Sequence, residues 1–210
     1  MLNHRFAFLV SCVLLCLIVA TGCRQAEAPS PSDDASPPLS ASAPQESSAA
    51  AAPEPVESIY TELSAPTCTV VEEDGPEDEP PVGRLDCPGP VGYALQVVDF
   101  DARMDLFVVD PEGTVHGLEF WRTVTGSFSS LGPRAEWRLA GGKPAALIVR
   151  LQAFEDPEDP NRATSYLVVS KISPEAVCVT AKIEPMEEQN VVARAAADRA
   201  SITDCLAAAG

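Results

Sequence analysis

Three observations in residues 57–210 predict a mainly β fold: an antiparallel meander forming a sandwich or small barrel, with one C-terminal helix. Residues 135–139 alternate Ala135, Trp137 and Leu139 with Glu136 and Arg138, the mark of a half-buried strand. Gly141-Gly142 then supplies a two-residue hairpin turn, and Ala145, Leu147, Val149, Leu151 and Ala153 resume the inward face. Short turns separate β-branched runs along the rest of this region, which favours neighbouring antiparallel strands over crossovers.

Taken in order, Ser58 to Leu63 opens the ordered region, and Thr67-Cys68-Thr69-Val70-Val71 is β-rich by its branched residues. Glu72 to Pro81 is an acidic loop broken by Pro and Gly, and Arg84 to Cys87 returns as a short strand. Gly92 to Phe100 and Arg103 to Val109 are apolar on two faces, as in strands near a sheet centre. Asp110-Pro111-Glu112-Gly113 reads as a tight turn. Thr114 to Trp121 is expected to be extended, and Arg122 to Pro133 a longer loop. After the hairpin come a second acidic loop at 155–161, a strand at Ser165 to Ile172 and a turn at Ser173-Pro174-Glu175.

The last strand should send Val177, Val179, Ala181 and Ile183 to one face, and Cys178, Thr180 and Lys182 to the other. Pro185 suits the first turn of the closing helix, with Glu187 and Glu188 near its positive end. Val191, Ala195, Ile202 and Cys205 recur at helical spacing, interrupted by Asp198. The total expected is seven or eight strands.

Ahead of this domain, His4 and Arg5 precede an apolar run from Phe6 to Ala20, shorter than the roughly 20 residues of a spanning helix. Ala20-Thr21-Gly22-Cys23 closes it. This segment resembles the lipobox signal of bacterial lipoproteins, with Ala20 where that family more often carries Leu. The resemblance implies cleavage after residue 22 and acylation of Cys23, so the bilayer becomes a partner through the lipidated cysteine. Arg24 in place of Asp implies, by the same resemblance, a periplasmic protein anchored at the outer membrane. The alternative from length alone is an uncleaved anchor. Residues 23–56 hold the lipid cysteine and a Pro/Ser/Ala tract too poor in large apolar groups to offset ordering entropy. Such a tether spans about 30 Å when flexible and roughly 100 Å when stretched.

The chain carries a net charge of −17, which becomes −18 once Arg5 leaves with the signal. No basic stripe exists to neutralise phosphates, so nucleic acid is excluded as a partner. The charge suits solubility or a cationic envelope protein. Of seven cysteines, Cys12 and Cys16 belong to the signal and Cys23 to the lipid. Cys68, Cys87, Cys178 and Cys205 remain, an even set in an oxidising compartment. Three connectivities are open, and local pairing, Cys68 with Cys87 and Cys178 with Cys205, is the expectation. In that case the helix lies over the face of the last strand opposite its valines. No CxxC spacing occurs and His116 is the one histidine beyond the signal, so neither a metal nor a cofactor is expected.

Catalytic signals are sparse. Gly126-Ser127-Phe128-Ser129 lacks the closing glycine of a nucleophile elbow, and Gly141-Gly142-Lys143-Pro144 fits a hairpin better than a phosphate loop. His116 shares a strand face with Leu118 and Phe120, which suits a structural role. The paired acids at 72–79 and 155–159 lie in Pro-bearing loops where solvent keeps them ordinary; calcium is their alternative use. The segment from Phe120-Trp121 to Gly132 mixes aromatics with small polar residues, a composition suited to binding loops, with Trp121, Phe128 and Leu131 as candidate contacts. The alternative is that these aromatics plug one end of the sheet.

The expected function is therefore a non-enzymatic interaction module of the cell envelope. A second reading is an inhibitor of a cationic hydrolase such as lysozyme, since lipoprotein lysozyme inhibitors share its acidity, disulfides and anchor. Their Ser-Gly-x-Lys/Arg-Tyr type of loop is not found here. A carboxylate-dependent hydrolase is the third reading.

Overall fold

The computed structural model describes residues 56–73 and 82–208. The signal, Cys23, the tether and most of the first acidic loop lie outside the described residues. Among the described residues ten strands form two antiparallel five-stranded sheets packed as a sandwich, more strands than the seven or eight expected. The strands are β1 (Glu57–Glu62), β2 (Thr69–Glu73), β3 (Val82–Pro88), β4 (Ala94–Asp99), β5 (Met104–Val109), β6 (Val115–Gly117), β7 (Ser129–Ala140), β8 (Lys143–Ala153), β9 (Thr164–Ile172) and β10 (Val177–Ile183).

One sheet is an uninterrupted meander, β2-β3-β4-β5-β6; the other runs β1-β7-β8-β9-β10, with β1 completing an edge laid down by the second half of the chain. Gly141 and Gly142, at φ 56° and 75°, make the β7–β8 turn, a conformation that glycine enters without Cβ strain. The main core lies between the sheets, with Leu95, Val97, Leu106 and Val108 from one and Trp137, Leu147, Val149, Leu151 and Val168 from the other. Trp137 is fully buried, its Nε1–H donating to Thr61 Oγ1 at 2.9 Å, and Thr61 Oγ1 donating onward to Pro88 O at 2.9 Å. That chain of bonds ties β7 to β1 and to the end of β3 in the other sheet, satisfying an indole that burial would otherwise leave unpaired.

Both local disulfides form, Cys68–Cys87 and Cys178–Cys205. The C-terminal helix α2 (Gln189–Ala197) lies on the outer face of the second sheet, as the Cys178–Cys205 pairing requires. There Ala193, Ala197 and Ala200 pack on Ala146, Ile148, Leu167 and Val169 to make a second, smaller core. Small helix residues bring the backbone close to the sheet, so the buried stripe is alanine.

Several expectations are corrected. The helix begins at Gln189, so Pro185 lies outside its first turn; Val191 is exposed and Ile202 is 84 % exposed. The buried face therefore runs through Gln189, Ala193 and Ala197 in place of Val191 and Ala195. Strand β10 does not keep one face throughout. Val179 pairs with Ser170 and Ala181 with Val169, leaving Thr180 as an extra residue. This bulge turns Ala181 and Ile183 under α2 while Val177 and Val179 stay with the main core. A short helix α1 (Phe120–Thr123) interrupts the stretch expected to be extended, and β7 starts at Ser129, inside the expected loop.

Asp105 explains the position of α1. It is buried in β5, and its Oδ1 accepts the backbone N–H groups of Leu106 at 2.8 Å and Phe120 at 3.2 Å. Burial raises its pKa above the ordinary carboxylate value, against the opposing effect of those two hydrogen bonds.

Candidate functional site

The segment from α1 to the start of β7 separates its aromatics by role. Phe120 is fully buried and fills the core position, whereas Trp121 and Phe128 are 53 % and 51 % exposed. Leu131, the third candidate contact, is half-buried against the main core and apart from them in character. The exposed rings are backed by guanidinium groups: Arg122 lies 5.6 Å from the Trp121 ring centroid and Arg103 4.9 Å from that of Phe128. Each such pair contributes on the order of 0.5–1 kcal/mol at an exposed position.

The backbone beneath is held from several sides. Arg103 Nε donates to Gly126 O at 3.2 Å, Ser129 N to Ala102 O at 2.8 Å, Phe154 N to Phe128 O at 2.9 Å, and Lys182 Nζ to Val124 O at 3.1 Å. A loop so anchored presents its rings with little ordering left to lose on binding.

His116 has a partner that the sequence reading missed. Asp110, six residues earlier across the β5–β6 turn, lies with Oδ2 3.0 Å from His116 Nε2. The hydrogen bond from His116 is the main cause holding the Asp110 carboxyl below its ordinary value. Both line a cleft of about 540 Å³ together with Tyr93, Lys143 and Ser173. The Ser173 hydroxyl is engaged with its own turn, donating to Ala176 O and accepting from Ala176 N, each at 3.1 Å. The pair thus braces a turn.

In the second acidic loop, Asp156 caps the Glu158 N–H at 2.9 Å and pairs with Arg162. Those interactions hold its carboxyl below the ordinary value, with the backbone bond from Glu158 the largest cause. Glu155 accepts from the Tyr166 hydroxyl. Among the described residues no group of three or more His, Cys, Asp or Glu is placed to hold a metal ion.

The outer face of the helix-bearing sheet carries charged groups that sequence reasoning did not gather. Arg138 is nearly buried and meets Asp198 of the chain after α2 through Nε and Nη2, at 2.7–3.0 Å. Arg194 of α2 clasps Glu136 of β7, with Nε at 2.7 Å from Oε1 and Nη2 at 3.1 Å from Oε2. Burial works to raise the Glu136 pKa, but the Arg194 and Ser58 hydrogen bonds and the two arginine charges outweigh it and hold the carboxyl below its usual range. Gln189 is buried at the helix start, where Nε2 donates to Ser165 O at 2.8 Å and Ile183 O at 3.0 Å. The only advance signal was alternation in β7 itself, which points Glu136 and Arg138 away from the core.

No helix among the described residues is long and apolar enough to cross a membrane. Compared with known proteins, the chain matches no family model, no curated protein and no solved structure.

Proposed function

We propose that this is a lipid-anchored envelope protein whose β-sandwich acts as a binding module for another macromolecule. Acylated Cys23 and the 23–56 tether hold the sandwich at the periplasmic side of the outer membrane. The observation that carries the binding role is the pair Trp121 and Phe128, exposed on an anchored backbone and each backed by an arginine. Tryptophan and arginine dominate the energetics of protein interfaces, because they bring large contact area and directional polar groups together. The net charge of −17 favours a cationic envelope protein as the partner through long-range attraction.

The test is capture of envelope proteins on the full-length protein, set beside a Trp121→Ala/Phe128→Ala variant. Specific capture by the wild type that falls at least tenfold in the double variant is the expected outcome. Undiminished capture by the variant removes this surface. Inhibition of lysozyme is the narrower version of the same reading; lysozyme activity unchanged by excess protein would exclude it for the enzymes assayed.

A further inference from the structure

A second site lies on the outer face of the helix-bearing sheet, where β1, β7, β8 and α2 enclose a cleft of about 360 Å³. Its polar lining is Tyr60, Arg134, Glu136, Arg150, Asn190 and Arg194. In a chain with 31 acidic and 14 basic residues, three guanidinium groups and one carboxylate here reverse the local balance.

A break in strand register builds the cleft. Leu131 pairs with Leu151 and Ala135 with Val149, so Gly132, Pro133 and Arg134 of β7 stand opposite Arg150 alone. A Cβ at Gly132 would sit 2.9 Å from the Arg150 Cβ, so the glycine lets the arginine stem lie against β7. Bulges of this kind redirect side chains and are common beside functional sites. Arg134 emerges from the bulge and stacks over Tyr60, 5.1 Å from its ring centroid.

The three arginines are not equally satisfied. Arg194 is neutralised by Glu136 and also donates to the Tyr60 hydroxyl at 3.0 Å. Arg150 uses only Nη1, on Ser165 Oγ at 2.7 Å and Gln189 Oε1 at 3.0 Å, and both partners are neutral. Its Nε and Nη2 have no acceptor among the described residues. Arg134 has no ion pair there either; Glu62 faces it in the β1–β7 register without reaching it. The cleft therefore holds two positive charges beyond what Glu136 cancels. The unpartnered nitrogens of Arg150 are not buried, so they are open to an anion, to which charge-assisted hydrogen bonds are stronger than those to neutral groups.

We propose that this cleft binds a phosphate monoester dianion. Two surplus charges match a dianion, where a single carboxylate would leave one guanidinium unbalanced. The planar donors of Arg134 and Arg150 suit paired hydrogen bonds to phosphate oxygens. At physiological ionic strength the Debye length is about 8 Å, so the acidic surface elsewhere is screened and the local cations decide. The phosphate comes either from a small soluble ester or from a lipid headgroup; the chemistry is shared.

Calorimetric titration of the full-length protein in non-ionic detergent at pH 7.5 tests this, with a sugar phosphate, dihexanoyl phosphatidic acid and succinate as ligands. Saturable binding of a phosphate ligand is expected, weakened roughly tenfold in Arg134→Gln, whose exposed side chain leaves the fold undisturbed, and lost in Arg150→Gln. Equal affinity for the two phosphates assigns a soluble ester, and a tenfold preference for the phosphatidic acid assigns a headgroup. No saturable binding of either phosphate, unchanged affinity in Arg134→Gln, or succinate binding as tightly as phosphate would overturn the proposal.

Discussion

The two sheets are built from similar alternating strands yet finish their outer faces differently. In β2–β6 the inward row supplies the main core, and among the described residues no second cluster forms outside it. In the other sheet β8, β9 and β10 are apolar on both faces, and α2 covers the second one, while β1 and β7 send Ser58, Tyr60, Glu136 and Arg138 to the same side. The helix thus covers half of that face with alanines and grips the other half through Arg194 and Asp198. A sheet whose second face is half apolar and half ionic positions a helix and leaves a charged cleft at their border.

The largest expected effect lies in the core that both sheets share. Trp137→Ala should lower stability by about 4 kcal/mol in urea unfolding, because it empties a fully buried site and removes the indole N–H that Thr61 Oγ1 accepts. Breaking Cys178–Cys205 by paired serine substitution should cost about 3 kcal/mol, as expected for its 27-residue separation. Hydrogen exchange should show the added loss of protection in α2 and the tail, where Leu206 N donates to Val179 O, before it appears in β2–β6.

Asp105 gives the intermediate effect and a sign. Asp105→Ala should cost about 2 kcal/mol by leaving two backbone N–H groups without their acceptor, whereas Asp105→Asn retains an oxygen there and should change stability by less than about 1 kcal/mol at pH 7. Because burial raises the folded pKa, the Asp105 contribution is full below the unfolded value near 3.8 and is lost as pH rises through the folded value. The difference in stability between wild type and Asp105→Asn should therefore shift against the wild type as pH increases; a pH-independent difference contradicts this.

The smallest effect sets a position sealed between α2 and its sheet against an exposed position on the edge strand of the other sheet. Ala193→Leu, on the sheet-facing side of α2, should cost about 1.5 kcal/mol by overpacking, while Val70→Leu on the exposed edge strand β2 should stay within about 0.5 kcal/mol. Similar melting shifts for both would show that the helix is not tightly seated.

The sequence made legible whatever depends on near neighbours. Alternation in 135–139 and 147–153, the glycine pair and the two local disulfides all act over short spans and appear as expected, although a register shift leaves Ala145 as an extra residue and gives its inward place to Pro144. The bulge at Thr180 was hidden because its residue type fits a continuous strand, whereas Gly132-Pro133 signalled the end of a loop and turned out to lie within β7. The ionic face was hidden for a different reason: Arg194 meets Glu136 across 58 residues and Arg138 meets Asp198 across 60, so no spacing pattern joins them. Asp105 did leave a trace, as a lone acid within Met104-Asp105-Leu106-Phe107-Val108. The exposure of Trp121 beside the burial of Phe120 depended on α1, which four residues are too few to announce.

The binding role is tested most directly by a photoreactive amino acid placed at position 121 in living cells, compared with the same residue at position 70 on the edge strand β2. Both positions are more than half exposed, so they differ in surroundings and not in access. A discrete covalent adduct with one envelope partner at position 121 and none at position 70 is the predicted result. Adducts of the same pattern at both positions, or none at 121, would contradict it.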